Sequence, residues 1–276
     1  MKTIQWKDGA PCAVMITVNL DAEQFWLSLS PDVIHRPKTM SMGQYGMKRG
    51  LSRVLDVLDE FGIRATFFVP GRVAELYPDK LREVAARGHE IANHGYAHEN
   101  FALLSEKEQA DAMEKGFAAI RKVCGVDARG FRAPEGELTL RTLQLAKKCG
   151  AVYSSNLSND DRPYLKDIGD GTLVEIPIHW ELFDLPYFAF NYHPAFPKGQ
   201  GRVANYSQVL HNWKEEYYAY RDEGLCYVLQ VDPQTIGTPG RIELLRELLA
   251  EIRRDGAAWY ATGSEMADFI VRAAVR

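Results

Sequence analysis

The 276 residues are 46% hydrophobic and 25% charged, which supplies apolar material for a sizeable core and excludes a disordered chain. With 33 basic and 37 acidic residues the formal net charge is -4, so no broad positive field favours nucleic acid or an anionic membrane surface as a partner.

In chain order, the start from Met1 to Gly9 breaks into polar residues and lacks the apolar run of a signal peptide. No later stretch approaches the roughly 18 apolar residues of a membrane span, and a cytoplasmic protein is expected. Ala13 to Leu20 reads as a strand. Met47 to Phe61 carries Leu51, Val54, Leu55 and Leu58 at helical spacing, closes at Gly62, and leads into the β-rich run Ala65 to Val69. Leu76 to Arg87 reads as one helix closed by Gly88, and His89 to Ala92 as a short strand. Ser105 with Glu108 three residues on is a capping box for a helix running to about Val123. Gly130 to Arg132 is a strand end, Thr139 to Cys149 a helix, Val152 to Ser155 a strand. Val174 to Ile178 and Leu225 to Val231 are later strands, and Ile242 to Arg254 is a strong amphipathic helix. This alternation is the sequence form of βα units around a parallel sheet. Glu23 to Gln44 and Tyr187 to Tyr206 interrupt it and read as long functional or contact loops. Without a repeat or linker, one domain over 1–276 is expected. The cysteines, Cys12, Cys124, Cys149 and Cys226, form no C-x-x-C pair and read as free thiols.

His94 and His98 are four apart, a spacing that lets two imidazoles converge on one ion from a helix or tight turn. They follow a strand directly, and ligands of α/β folds gather at the C-terminal ends of strands. Asp21 stands at the same place after the first strand. One carboxylate and two imidazoles leave a coordination position open, as a catalytic zinc site requires.

Four segments in order, Asn19 to Glu23, Ala65 to Gly71, Gly88 to His98 and Phe131 to Gly136, resemble successive motifs of the polysaccharide deacetylases of the NodB type. Asn159 to Tyr164, Glu175 to Pro186, and Asp232-Pro233 with Ile236 to Pro239 are similar to the intracellular branch, which includes peptidoglycan-deacetylase-like proteins, cyclic imide hydrolases and PuuE-type allantoinases. The resemblance implies an α/β fold, a distorted (β/α)7-type barrel, with a metal at its mouth. It implies Asp21, His94 and His98 as ligands of a divalent ion, zinc first and iron, cobalt, nickel or manganese as alternatives. Arg132 matches the residue that orients a catalytic carboxylate, and Trp180 an aromatic wall. A homo-oligomer, dimer or tetramer, is expected from the same branch.

Two positions depart from the pattern. The family's base aspartate is Asn19 here, and an amide cannot take a proton at neutral pH. The histidine that acts as general acid is Asp232, which serves only if its pKa is raised. Glu23 and Asp184 are the candidate substitutes for proton transfer. Phe25, Trp26, Tyr45, Tyr164 and Trp180 are the expected walls of a partly apolar pocket for a small ring-containing or planar substrate. The expected reaction is metal-dependent hydrolysis of a non-peptide carbon–nitrogen bond in a small amide, cyclic imide or ureide. A silent binding protein or a divergent, even oxidative, enzyme is the alternative.

Overall fold

The computed structural model describes residues 4–199 and 203–274. Its strands are β1 (Cys12–Asn19), β2 (Thr66–Val69), β3 (Glu90–Asn93), β4 (Gly130–Phe131), β5 (Tyr153–Ser154), β6 (Tyr164–Asp167), β7 (Thr172–Glu175), β8 (Asn191–Tyr192), β9 (Ala195–Phe196), β10 (Cys226–Val231) and β11 (Ala258–Tyr260). They run β10-β1-β2-β3-β4-β5-β7-β6, with β11 beside β1, while β8 and β9 form a separate hairpin. The expected parallel strands are the path from β10 to β7; β6 is antiparallel to β7. The sheet curls, and a single parallel bridge from Phe183 to Gln230 brings the segment after β7 onto β10. This is the α/β barrel-like architecture expected from the motifs.

Strand alternation explains both the core and the site. In β1, Val14, Ile16 and Val18 pack outward with Leu51, Leu55, Leu245 and Leu249 of the surrounding helices. Ala13 and Met15 point into the curled sheet, where Phe68, Ala92, Tyr153, Val174, Cys226 and Val228 meet them. A strand places every second residue on one face, so Thr17, Asn19 and then Asp21 continue the inward row toward the strand ends. The same parity carries Phe68, Ala92 followed by His94, and Val228 followed by Gln230. Apolar side chains thus fill the lower interior and polar ones its mouth.

Several local expectations need correction. The helix over Leu76 to Arg87 is two pieces, Gly71–Leu76 and Pro78–Ala86, because Pro78 holds Tyr77 out of the helical region at φ -127. Glu23 to Gln44 is not a loop: it folds as helices Gln24–Leu29 and Pro37–Tyr45 around a 3-10 turn, Pro31–His35. The π turn Gly46–Gly50 leads directly into helix Leu51–Glu60, so the regular helix begins later than Met47. The strand over Val174 to Ile178 stops at Glu175, before Pro177, which has no N–H to donate. Tyr187 to Tyr206 contains the β8–β9 hairpin, and its residues 200–202 lie outside the described part, as do 1–3. The capping box at Ser105 is present as read. Among the described residues no helix is long and apolar enough to cross a membrane.

Candidate metal centre

Asp21, His94 and His98 are all buried and offer ligand atoms within 4.8 Å of one another. Asp21 leaves the end of β1, and His94 follows β3 with its backbone N–H bonded to Val69 O at 3.0 Å. His98 arrives from a tight turn rather than a helix. Glu99 folds that turn by accepting from the backbone N–H of Tyr96 at 2.9 Å and Ala97 at 2.8 Å. His94 Nε2 lies 3.5 Å from Asp21 Oδ1 and His98 Nε2 3.3 Å from Asp21 Oδ2.

The outer atoms fix how the imidazoles face. His94 Nδ1 is 2.6 Å from Arg132 O, a carbonyl that can only accept, so Nδ1 carries the proton. His98 Nδ1 is 3.1 Å from Ser28 Oγ, whose own proton goes to Phe25 O at 2.8 Å or Glu135 Oε1 at 3.2 Å. Ser28 therefore accepts from His98. Both Nε2 atoms turn toward Asp21, whose Oδ1 is buried without a hydrogen-bond partner. This donor set, two Nε2 atoms oriented by acceptors behind them plus one orphaned carboxylate oxygen, fits a divalent cation. Burial acts to raise the Asp21 pKa, but His98 and His94 outweigh it and hold the carboxyl below its ordinary range. Burial pulls the His94 imidazole down to about 4 against the pull of Asp21.

Backbone strain collects here. Non-glycine residues with positive φ include Ala22 at 49°, His98 at 64° and Glu135 at 59°, all beside this cluster. Such conformations persist only where surroundings over-determine them, and they mark functional sites.

Arg132 is fully buried over the Phe68 ring, 4.0 Å from its centroid. It donates to Ser155 O at 3.1 Å, Ser155 Oγ at 2.8 Å, Thr17 Oγ1 at 3.0 Å and Asn19 Oδ1 at 2.8 Å. Burial lowers its pKa to about 9, which leaves it charged at neutral pH. The carboxylate-orienting position thus orients an amide.

A cavity of about 740 Å³ opens over the cluster and is lined by Asn19, Asp21, His94, His98 and Arg132, with Phe25, Trp180 and Glu135 in its walls. The other expected wall residues are absent from that lining. Trp26 is buried and donates to Gln234 Oε1 at 2.7 Å. Tyr45 takes a bond from Arg53 at 2.6 Å, and Tyr164 donates to Asn159 at 2.8 Å on the antiparallel β6. Their aromatic character marked them; their direction was not legible. Leu29, Phe183 and Phe196 line the cavity instead.

The three proposed proton-transfer carboxylates also stand off the lining. Asp232 accepts from Gln234 N and Gln234 Nε2, both at 2.8 Å. Burial, Asp21 and Asp184 push its pKa well up. Asp184 accepts from Asp232 N at 3.0 Å and from Thr235 Oγ1, and burial pushes it to about 7. Glu23 is bonded to Tyr77 OH, with its Oε2 buried and unpartnered. Ser28 and Glu135 were missed as site residues. Ser28 sits in a stretch read as loop, whereas Glu135 lay within the Arg132 motif, a signal that was available.

A family model described as polysaccharide deacetylase matches residues 43–154. A solved structure from Mycobacterium smegmatis assigned to the polysaccharide deacetylases is 36% identical, with a TM-score of 0.93, over 99% of this chain and 95% of that one. The chain belongs to the polysaccharide deacetylase family. As a polysaccharide deacetylase relative it is a hydrolase of carbon–nitrogen bonds other than peptide bonds. A peptidoglycan deacetylase of Helicobacter pylori is 26% identical over 91% of this chain and 93% of its own. The structure of PuuE allantoinase, at 19% identity and a TM-score of 0.84, covers 98% of this chain and 93% of that one and shares the fold.

Proposed function

We propose that this deacetylase-family chain hydrolyses a small amide, cyclic imide or ureide with a divalent ion held by Asp21, His94 and His98. The observation that carries the reading is the orphaned Asp21 Oδ1 facing two imidazoles whose outer nitrogens are already bonded. When bound, such an ion supplies Lewis acidity for carbonyl polarisation and water activation, with zinc the first candidate and iron, cobalt, nickel or manganese the others. Arg132 O and Ser28 hold the two rings so that Nε2 faces inward. Arg132 fixes Asn19 and adds positive charge beneath the cavity. Phe25, Trp180 and Phe183 exclude water around a planar group, and about 740 Å³ suits a small molecule. A dimer or tetramer in the cytoplasm belongs to the same reading, and light scattering measures the former.

The test is a turnover screen of the zinc-loaded protein against cyclic imides, ureides, N-acyl amines and N-acetyl sugars, before and after chelation. Chelator-sensitive turnover of a small cyclic amide supports the reading, and turnover confined to N-acetyl sugars removes the small-substrate part. A second reading, a binding protein without turnover, is favoured by Asn19 being an amide and by both Asp232 oxygens being engaged by Gln234. Zinc binding without turnover on any class would decide for it.

A further inference from the structure

Asn19 lies beside Asp21 on the inward row of β1, is nearly fully buried, and lines the cavity. Its orientation follows from chemistry. A guanidinium carries only donors, so the atom 2.8 Å from Arg132 Nη1 must be the amide oxygen. The Nδ2 group then points away from Arg132. No atom among the described residues accepts a hydrogen bond from it. Among the described residues, every hydrogen bond the Arg132 guanidinium makes goes to a neutral oxygen: the Ser155 carbonyl and hydroxyl, the Thr17 hydroxyl and the Asn19 amide. Among the described residues no carboxylate hydrogen-bonds to its charge, which polarises the Asn19 amide from behind.

We propose that Asn19 is a fixed hydrogen-bond donor to an acceptor oxygen of the substrate, so that the cavity selects ligands presenting a carboxylate or a carbonyl oxygen there. The family position that takes a proton has become one that gives a hydrogen bond. Asn19 acts on the ligand directly and Arg132 is its positioning residue. The inference rests on the reading of this cavity as the substrate site, and the test separates the two.

Acetate, the simplest carboxylate, is titrated calorimetrically into the wild type, Asn19→Asp and Asn19→Ala, each with and without zinc, after zinc binding has been measured separately. A carboxylate at 19 can pair with Arg132, so Asn19→Asp is expected to fold; thermal melting of both variants checks this. Wild type should bind acetate, Asn19→Ala about ten-fold more weakly, and Asn19→Asp more weakly still, because a donor to a charged group has been lost and then replaced by like charge. Zinc stoichiometry should be unchanged in both. Acetate binding by Asn19→Asp as tight as wild type, or no acetate binding by wild type, overturns the proposal. Failure of zinc to bind overturns the metal reading instead, and the zinc-free titrations still decide the role of Asn19.

Discussion

Ser28 shows how a single hydroxyl shapes the centre. Its oxygen accepts from His98 Nδ1 while its proton is directed to Phe25 O or Glu135, and this keeps His98 Nε2 aimed at Asp21. Partners behind a ligating imidazole affect affinity without touching the ion. Ser28→Ala is expected to weaken zinc binding by about 10- to 100-fold with the fold intact, as read by competition with a chromogenic chelator. Unchanged affinity would show that His98 is oriented by its backbone alone. Asp184 makes a different prediction. Unfolded, it ionises near 3.8; folded, burial holds its proton to about 7. Its stabilising contribution is complete below 3.8 and is lost as pH rises through about 7, since ionisation is resisted only in the fold. Thermal melts from about pH 4 to 8 should therefore fall more steeply for wild type than for Asp184→Asn. Parallel curves would place the titration elsewhere.

Among the elements, helix Glu106–Cys124 supports the turn that delivers His98. Gly116 makes this possible: a Cβ there would lie 2.4 Å from Gly95 O and 2.5 Å from Asn93 Nδ2. Gly71 meets the same helix, its Cβ position 2.8 Å from Gly116 Cα. Gly116→Ala should cost about 1–3 kcal/mol by overpacking and should weaken zinc binding with it, measured by urea denaturation and metal titration. A stable variant with normal zinc affinity would show that the turn does not depend on this contact. Much of this level was legible. The strand β1, the capping box at Ser105 and the strand-end position of His94 came from spacing and composition, which local physics sets. Helices Gln24–Leu29, Tyr206–Glu223 and Gly263–Ala274 were not assigned as such: the first two mix aromatic and polar residues that only packing against the sheet resolves, whereas the last carries Met266, Ala267 and Ile270 at helical spacing, a signal that was available. The meeting of Asp21, His94 and His98 was readable because strand ends converge. The replacement of Trp26, Tyr45 and Tyr164 by Leu29, Phe183 and Phe196 in the walls was not, because side-chain direction depends on long-range contacts.

Across the molecule the two ends of the barrel have separate tasks. At the lower end Glu90 accepts from Thr66 Oγ1 at 2.9 Å, Tyr153 OH at 3.0 Å and Ser264 N at 3.0 Å, which pins the start of helix Gly263–Ala274 under the sheet. Asp21, His94 and His98 lie at the opposite, C-terminal ends of the strands. Glu90→Gln should lower stability by about 1–3 kcal/mol yet leave zinc stoichiometry unchanged, by denaturation and elemental analysis. Loss of zinc in that variant would mean that the ends are coupled. The upper end is expected to hold one divalent ion. Elemental analysis of wild type, Asp21→Ala and His98→Ala after equilibration with zinc and removal of excess should find about one ion per wild-type chain and little in either variant; a metal-free wild type, or variants that keep their zinc, would contradict this.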